Sequence, residues 1–310
     1  MIKRTIFLSR DAYLYTRHKQ MRIDFKDGDQ ESISIPIEDI GVLVLESYRL
    51  SISLNLISRL LDNNVAIVTC NSKKMPQGLI LNLDANHTQQ ERFARQVSAS
   101  KPLKKQLWAQ TVKQKIHNQG RLLVLLGLEK GNSAGLPENM HRWKKEVKSG
   151  DTGNMEARAA AYYWSVLFRD HNPYFLRLRD GPMPNALLNY GYAILRAVTA
   201  RSLVASGLLP TLGIHHHNKY NAYALADDIM EPYRPFVDKL VYHIIRENRE
   251  ILSQSELTKE VKAKLLQIPA IDVIIDGEKS PLMNAMQRTT ASLYRCFEGS
   301  SRKILYPEIL

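Results

Sequence analysis

The chain has 310 residues, 44% of them hydrophobic, and a net charge of +12, which is typical of a globular protein large enough for two domains and basic enough to bind a polyanion. Its two cysteines, Cys70 and Cys296, are too few and too far apart for a disulfide framework or a zinc ribbon. The longest uniformly apolar run, at 122–128, is far shorter than the roughly 20 residues that cross a bilayer, and the first residues lack the apolar segment of a signal peptide. These features predict a cytoplasmic protein with no membrane segment.

Up to residue 85, short runs rich in β-branched and aromatic residues alternate with turn signals. Between two of these runs, Asp27-Gly28 predicts a tight hairpin turn, because both residues tolerate positive φ. Within this part, helical spacing occurs only at 51–61. The predicted strands are residues 4–9, 20–25, 32–37, 41–45, 65–70 and 79–83. We therefore expect a small β-rich, sandwich-like domain over residues 1–85, with one inserted helix.

Beyond residue 85 the apolar residues have helical spacing almost throughout. The segment 131–148, with its Gly, Pro and scattered charges, predicts a loop or linker followed by a short basic helix. The predicted helices are residues 88–99, 103–126, 155–168, 187–205, 231–248, 256–266 and 281–298. The fold class expected is α+β, in which the small N-terminal β-rich domain is followed by a larger all-α domain over residues 86–310.

The positive charge is concentrated in one stretch of the chain. Residues 86–150 contain 13 Lys and Arg against 4 Asp and Glu, whereas the remainder is almost balanced. Such a stretch can bind nucleic acid through the release of counterions, although a solvated helical face gives the same pattern. A membrane surface is disfavoured, because no aromatic stripe accompanies the lysines. The candidate nucleic-acid-binding residues are Lys104, Lys105, Lys113 and Lys115.

Imidazoles and carboxylates are concentrated between residues 213 and 231, where 213–217 reads Gly-Ile-His-His-His and 227–231 reads Asp-Asp-Ile-Met-Glu. Together they offer the ligand types of a divalent metal. Pro232 biases Glu231 away from helical geometry, so either the helix kinks there or a new helix begins at the proline. A helix-capping cluster paired with Arg234 is an equally good explanation of the acids. Three adjacent imidazoles cannot all face one ion.

A further acid, Glu156, begins a predicted helix whose next turn is small and apolar. Small residues permit close helix packing, which would draw this carboxylate into the interior, where it needs a counter-ion or a metal. An acid at a helix N-terminus is also favoured simply by the helix dipole, and that alternative stays open.

Four segments, taken in order, resemble the CRISPR adaptation integrase family, the CRISPR-associated endonuclease Cas1. Both the β-rich first part and the helical second part agree with this family, so the resemblance covers essentially the whole chain. The wording His-His-His-Asn-Lys-Tyr-Asn from residue 215 is similar to the form found beside single-effector (type II) CRISPR nucleases. The four segments are Glu156 within Glu-Ala-Arg-Ala-Ala, residues 189–195 (Asn-Tyr-Gly-Tyr-Ala-Ile-Leu), residues 213–216 (Gly-Ile-His-His) and residues 228–235 (Asp-Ile-Met-Glu-Pro-Tyr-Arg-Pro).

The resemblance implies a metal triad of Glu156, His216 and Glu231, in which His216 is the last residue of the family's Gly-x-x-His. It also implies that Asp228 acts as an outer ligand or orients the imidazole, and that Asn189 and Tyr190 support the site. Two carboxylates and one imidazole suit Mn²⁺ or Mg²⁺, with the imidazole favouring Mn²⁺.

The implied activity is that of a metal-dependent DNA endonuclease and integrase, which inserts short captured DNA (spacers) into a CRISPR repeat array by attack of a 3′ hydroxyl. The implied partners are a second copy of the chain, joined through the β-rich domains, the small protein Cas2, double-stranded and repeat DNA, and the single-effector nuclease. The alternatives are a stand-alone metal-dependent nuclease of DNA repair and a DNA-binding scaffold with a degenerate site. A zinc hydrolase is disfavoured, because adjacent histidines lack the i, i+4 spacing of such enzymes.

Overall fold

The computed structural model describes residues 3–28 and 31–309. Strands dominate the first part of the chain and helices the second, as the sequence predicts. None of the described helices combines the length and the apolar character that crossing a bilayer requires. The elements of the first part are β1 (Arg4–Leu8), β2 (Ala12–Arg17), β3 (Gln20–Phe25), β4 (Ile33–Pro36), β5 (Ile40–Leu45), β6 (Ser51–Ile52), α1 (Leu54–Asp62), β7 (Ala66–Cys70) and β8 (Pro76–Ile80).

These strands form two four-stranded sheets, with the orders β1-β5-β7-β8 and β4-β3-β2-β6. In the first sheet β1, β5 and β7 are parallel and β8 is antiparallel to β7. Successive residues of a strand face opposite sides of a sheet. Leu43 of β5 accordingly lies in the core shared with the second sheet and α1, whereas Val42 and Val44 lie in the core shared with the helices. The first sheet is therefore buried on both faces, and the two sheets are arranged like a sandwich.

The hairpin predicted at Asp27-Gly28 joins β3 to β4, which pair antiparallel with Met21 opposite Ile35. Gly28 has a φ of +71°, a conformation that favours glycine. Residues 29 and 30 of the connection lie outside the described part. The predicted strands do not include β2, although its buried Ala12 and Leu14 alternate with more exposed residues, as in a half-buried strand.

The second part of the chain is built around two long helices. α3 contacts α4, α5 and α8, and α6 packs on β7 and β8 of the first sheet. The helices are α2 (Gln89–Ser98), α3 (Lys101–Leu125), α4 (Glu138–Glu146), α5 (Met155–Leu167), α6 (Asn185–Ala205), α7 (Ala224–Met230), α8 (Arg234–Glu247), α9 (Lys259–Leu265) and α10 (Leu282–Glu298). The expected loop followed by a short basic helix is confirmed by α4.

The prediction that residues 86–310 are all-α is wrong. A three-stranded antiparallel sheet, in the order β10-β9-β11, consists of β9 (Asp272–Ile275), β10 (Glu278–Pro281) and β11 (Pro307–Glu308). Asp276 and Gly277 connect the first two strands, with φ values of +54° and +77°. This Asp-Gly pair is the same hairpin signal as Asp27-Gly28, but its strands are too short to show alternation.

The division of the chain at residue 85 remains a prediction. The apolar core of the helices continues onto the first sheet, where it includes Ala66 and Val68 of β7. A buried ion pair between Lys262 of α9 and Glu46, which follows β5, also joins the two parts. The α+β class holds, and the two parts are in close contact through the sheet.

Candidate active site

The carboxylate of Asp228, in α7, shapes the loop that carries the predicted histidine ligand. Its Oδ2 accepts the backbone N–H groups of Ile214 and His215 at 2.7 and 2.9 Å, and its Oδ1 accepts that of His216 at 3.3 Å. Asp228 is completely buried, so these bonds replace its hydration. Gly213 permits the tight path of the loop, because a Cβ there would lie 2.4 Å from the carbonyl oxygen of His216. The backbone of the loop is therefore folded around one buried anion.

Asp228 also holds the imidazole of His216 through a hydrogen bond to Nδ1. That bond is the main cause of a raised pKa for His216, and the charges of Glu231 and Glu156 add to it against the effect of burial. With Nδ1 donating to the carboxylate, Nε2 of the neutral ring is left as the nitrogen that can bind a metal or a proton. The imidazole thus lies within electrostatic range of both predicted acidic ligands, with its free nitrogen defined by Asp228.

Trp108 of α3 packs against two of the three imidazoles. The sequence did not identify this tryptophan as part of the site. Its ring stacks on that of His215, with centroids 4.1 Å apart and planes 1° from parallel, and its edge meets His216 at 5.6 Å. Burial lowers the pKa of His215 below its usual value. His216 and His217 are both exposed, so the tryptophan accounts for His215 and the hydrogen bond to Asp228 singles out His216 as the candidate ligand.

Glu156 lies in the first turn of α5, and the start of that helix fixes its position. The side chain of Asp151 accepts the backbone N–H groups of Met155 and Glu156 at 2.9 and 3.0 Å, which caps the first turn. Asn154, just before the helix, has a left-handed φ of +53°. The turn before the helix and its cap thus fix the direction in which Glu156 leaves the helix, and its side chain is 21% exposed.

Glu231 lies at a kink between α7 and α8. Its backbone remains helical, with φ of −53° and ψ of −46°, and residues 231–233 form a single 3₁₀ turn before α8 begins. Of the two options left open by Pro232, the structure shows the kinked helix. The carbonyl of Pro232 has no partner at i+4 in such a turn, and it accepts a hydrogen bond of 2.7 Å from Asn118 of α3. The kink thus directs the Glu231 carboxylate towards α3.

The carboxylates of Glu156 and Glu231 converge on the ammonium of Lys115, at 2.7 and 2.6 Å. The second oxygen of Glu231 lies 2.9 Å from the guanidinium of Arg234. Burial alone would raise the pKa of Glu231, but the charges of Arg234 and Lys115 outweigh it and hold that pKa below its usual range. Burial alone would lower the pKa of Lys115, but the charges of Glu231 and Glu156 outweigh that effect and raise the pKa above its usual value. The pKa shifts of Glu231, Lys115 and Arg234 thus each favour the charged form of the group.

The acids of the site fit a divalent cation in part. Among residues 3–28 and 31–309, no three His, Cys, Asp or Glu side chains lie close enough together to hold one ion. Two of the three predicted ligands, Glu156 and Glu231, do share a point occupied by a positive charge, and the charges of both act on His216. Oε2 of Glu231 is buried and lies 2.6 Å from the ammonium of Lys115, its charged partner. A hard cation fits the oxygens at this point, in place of the ammonium.

The other predicted residues lie further from this point. Asp227 pairs with Arg196 of α6 at 2.7 Å. Asn189 accepts a hydrogen bond of 2.7 Å from Arg177, in the loop before α6. Tyr190 faces the first sheet, where its hydroxyl is buried without a hydrogen-bond partner in the described residues. No hydrogen bond or ion pair of the described chain joins Asn189 or Tyr190 to the two glutamates or to His216.

The 189–195 segment reaches the site through Tyr192, which the sequence did not single out. Its ring lies 4.5 Å from the guanidinium of Arg234, and its hydroxyl donates to the buried carboxylate of Asp238, as does that of Tyr163 at 2.8 Å. Gly191 allows this packing, because a Cβ there would lie 2.5 Å from a methyl group of α8. The segment thus holds Arg234, which in turn holds Glu231.

The four candidate nucleic-acid-binding lysines do not share one environment. All lie on α3, where Lys105 and Lys113 are exposed and Lys104 is half-buried. Lys115 instead belongs to the site, with a side chain only 12% exposed. Two of the four lysines are therefore fully open to a polyanion, and Lys115 is directed into the protein.

Comparison with known proteins identifies the family. The family model described as CRISPR associated protein Cas1 matches residues 6–276. The chain is 34% identical to the CRISPR-associated endonuclease Cas1 of Neisseria meningitidis, over 100% of this chain and 97% of that protein. The chain belongs to the Cas1 family. It is thus an endonuclease and integrase of CRISPR adaptation, as the resemblance of its motifs implied, and a stand-alone repair nuclease is not favoured.

Solved structures show the same fold at low sequence identity. A casposase bound to an integration product matches with a TM-score of 0.79 and 17% identity, over 97% of this chain and 92% of that one. A Cas6-RT-Cas1–Cas2 complex matches with a TM-score of 0.73 and 19% identity, over 100% of this chain and 37% of the longer chain. These likenesses support the architecture described above.

Proposed function

We propose that Glu156, His216 and Glu231 hold one divalent cation, Mn²⁺ or Mg²⁺, which this Cas1 protein uses to cut and join DNA. The observation that carries the proposal is the convergence of two acids, from α5 and from the α7–α8 kink, on a single point that already bears a positive charge. His216 presents its free nitrogen on the same side of the protein, beside Trp108. Oxygen ligands with one imidazole suit either ion.

When bound, the cation supplies stabilisation of negative charge on a phosphate oxygen and makes an attacking hydroxyl more acidic. The rest is done by the protein. Asp228 binds Nδ1 of the imidazole, which leaves Nε2 as the nitrogen that would bind the cation. Arg234 compensates the oxygen of Glu231 that does not face Lys115, so that the buried acid stays ionised. Trp108 closes one side of the site as an apolar wall.

The reaction we propose is a transesterification of DNA. The 3′ oxygen of a short captured duplex attacks a phosphodiester at the edge of a CRISPR repeat and forms a new bond to phosphorus. The bond to the 3′ oxygen of the repeat strand breaks, and that oxygen leaves as a hydroxyl after taking up a proton. No covalent bond to the protein is formed. Attack by water at the same site gives the endonuclease reaction, and the basic face of α3 at Lys105 and Lys113 supports a DNA substrate.

The assembly we propose contains a homodimer joined through the β-rich parts, bound to Cas2 and to repeat DNA in the cytoplasm. A type II effector nuclease is a further possible partner, on the resemblance of the histidine motif alone. Support for Cas2 and for DNA comes from proteins of the same fold solved as a Cas1–Cas2 complex and on an integration product.

The experiment is a strand-transfer assay with Cas2, Mn²⁺ and a labelled duplex that has free 3′ hydroxyls, scored by joining to a repeat-containing plasmid. Glu156→Ala, His216→Ala and Glu231→Ala should each abolish joining. Glu146→Ala, at the exposed end of α4, is the matched control and should join as the wild type does. Cutting without joining by the wild type would support the stand-alone nuclease, and neither activity, together with unchanged DNA binding, would support the scaffold.

A further inference from the structure

Lys115 is the internal counter-ion of the site. Its stem leaves α3 one turn before Asn118, and its ammonium contacts an oxygen of Glu156 and an oxygen of Glu231. The ammonium donates a hydrogen bond to Oε1 of Glu156 and lies 2.6 Å from Oε2 of Glu231. Two acids that would otherwise repel each other are thus held together by one positive charge.

We infer that Lys115 competes with the divalent cation for these two carboxylates, so that metal binding is an exchange of the ammonium for the ion. The inference rests on the proposed metal function of the site. Before exchange, Lys115 contacts both acids and holds them close together, which prepares their geometry. During exchange, its charge must move away from the point that the ion takes.

The charges of the site require such an exchange. Lys115 and Arg234 together balance the two carboxylates, so the cluster is close to neutral. A divalent ion at the point where the ammonium lies would stand against a like charge, in an interior where charges are only weakly screened. The two acids can therefore contact the ion only when a cationic side chain withdraws.

Of the two, Lys115 is the side chain that can move. Arg234 is held by Glu231 and by the ring of Tyr192, which lies 4.5 Å from its guanidinium. Lys115 has a flexible four-carbon stem with a point charge at its end. Rotation about its last bonds would release the carboxylates without disturbing α3.

The test compares Mn²⁺ binding by calorimetry, and Mn²⁺-dependent thermal stabilisation, in the wild type and in Lys115→Met. The variant keeps the length of the stem and removes the charge. Its Mn²⁺ affinity should rise roughly tenfold to a hundredfold, the ratio expected when one charge-assisted contact no longer has to be broken. Without metal its melting temperature should fall, and Mn²⁺ should raise that temperature by more than it does in the wild type. Lys101→Met, an exposed lysine on the same helix, controls for the loss of one charge and should leave both readouts unchanged.

Two further variants separate the possible results. Lys115→Arg keeps a cation and is expected not to tighten Mn²⁺ binding. If the Lys115→Met protein does not fold, Lys115→Gln takes its place. Equal or weaker Mn²⁺ affinity in both neutral variants would overturn the exchange while leaving the metal site intact. If the wild type instead binds no Mn²⁺, or if Glu231→Gln leaves its Mn²⁺ binding unchanged, the proposed metal function fails. The exchange then fails with it.

Discussion

Replacing Asp228 by Asn removes one charge at almost constant side-chain volume and tests how the site presents His216. The carboxylate accepts four hydrogen bonds, three from the 214–216 backbone and one from the imidazole. An amide offers a single acceptor oxygen. If that oxygen keeps the bonds from Ile214 and His215, the amide nitrogen faces the N–H and the Nδ1 of His216.

The expected loss follows from this geometry. The backbone N–H of His216 then faces another donor inside the protein, which costs about 1–3 kcal/mol. The two remaining bonds lose their charge assistance, which adds roughly 1 kcal/mol. The free energy of unfolding should therefore fall by about 3 kcal/mol. Nδ1 can only accept from the amide, so the ring proton moves to Nε2 and metal binding through that nitrogen is lost.

Equilibrium urea denaturation measures the first effect, and calorimetric Mn²⁺ titration measures the second. Asp272→Asn is the control, since Asp272 and its partner Lys279 are 54% and 70% exposed and such pairs contribute about 1 kcal/mol or less. A loss for Asp228→Asn no larger than that of the control, or Mn²⁺ binding equal to the wild type, would refute this account of the loop.

Three other outcomes are expected. Glu46→Gln leaves the ammonium of Lys262 buried without its counter-charge, so the free energy of unfolding in urea should fall by about 3 kcal/mol, and adding Lys262→Met should restore part of it. Burial raises the pKa of Asp238 to about 6. The native state therefore binds more protons than the unfolded chain from about pH 4 to about pH 6, stability falls as the pH rises through this window, and Asp238→Asn should flatten that slope in a denaturation series. When Glu replaces Lys104, Lys105 and Lys113 of α3, the DNA affinity measured by fluorescence anisotropy should fall and should depend less on salt. Unchanged binding would favour a merely solvated face.

The elements that could be predicted from the sequence are those in which the local sequence signals agree with the burial pattern. The turn at Asp27-Gly28 needs no distant contact, because its backbone preference is local. α6 was predictable because its apolar residues extend over five turns. The β9–β10 hairpin has an equally good turn at Asp276-Gly277, but four-residue strands give too short a pattern to outweigh the helical segments on either side.

In the site, residue types were predictable and contacts were not. Glu156, His216 and Glu231 stand at the ligand positions of the family's motifs, so the resemblance selects them. The ring that stacks on His215 belongs to Trp108, which lies more than one hundred residues earlier in the chain. No spacing rule connects side chains so far apart, because their contact results from the packing of α3 against the loop.

Lys115 shows the limit most clearly. On sequence it is one more cation in a basic helix, and its charge suggests a surface for DNA. It lies seven residues after Trp108, which is close to two helical turns, so both side chains leave α3 on the same side. Once Trp108 is seen to pack against the histidine loop, that face of the helix must be directed towards the acids, and Lys115 must meet them. The helical period could have paired these two residues, but only the fold shows that the side they share faces inward, where a positive charge competes with a metal instead of attracting a phosphate backbone.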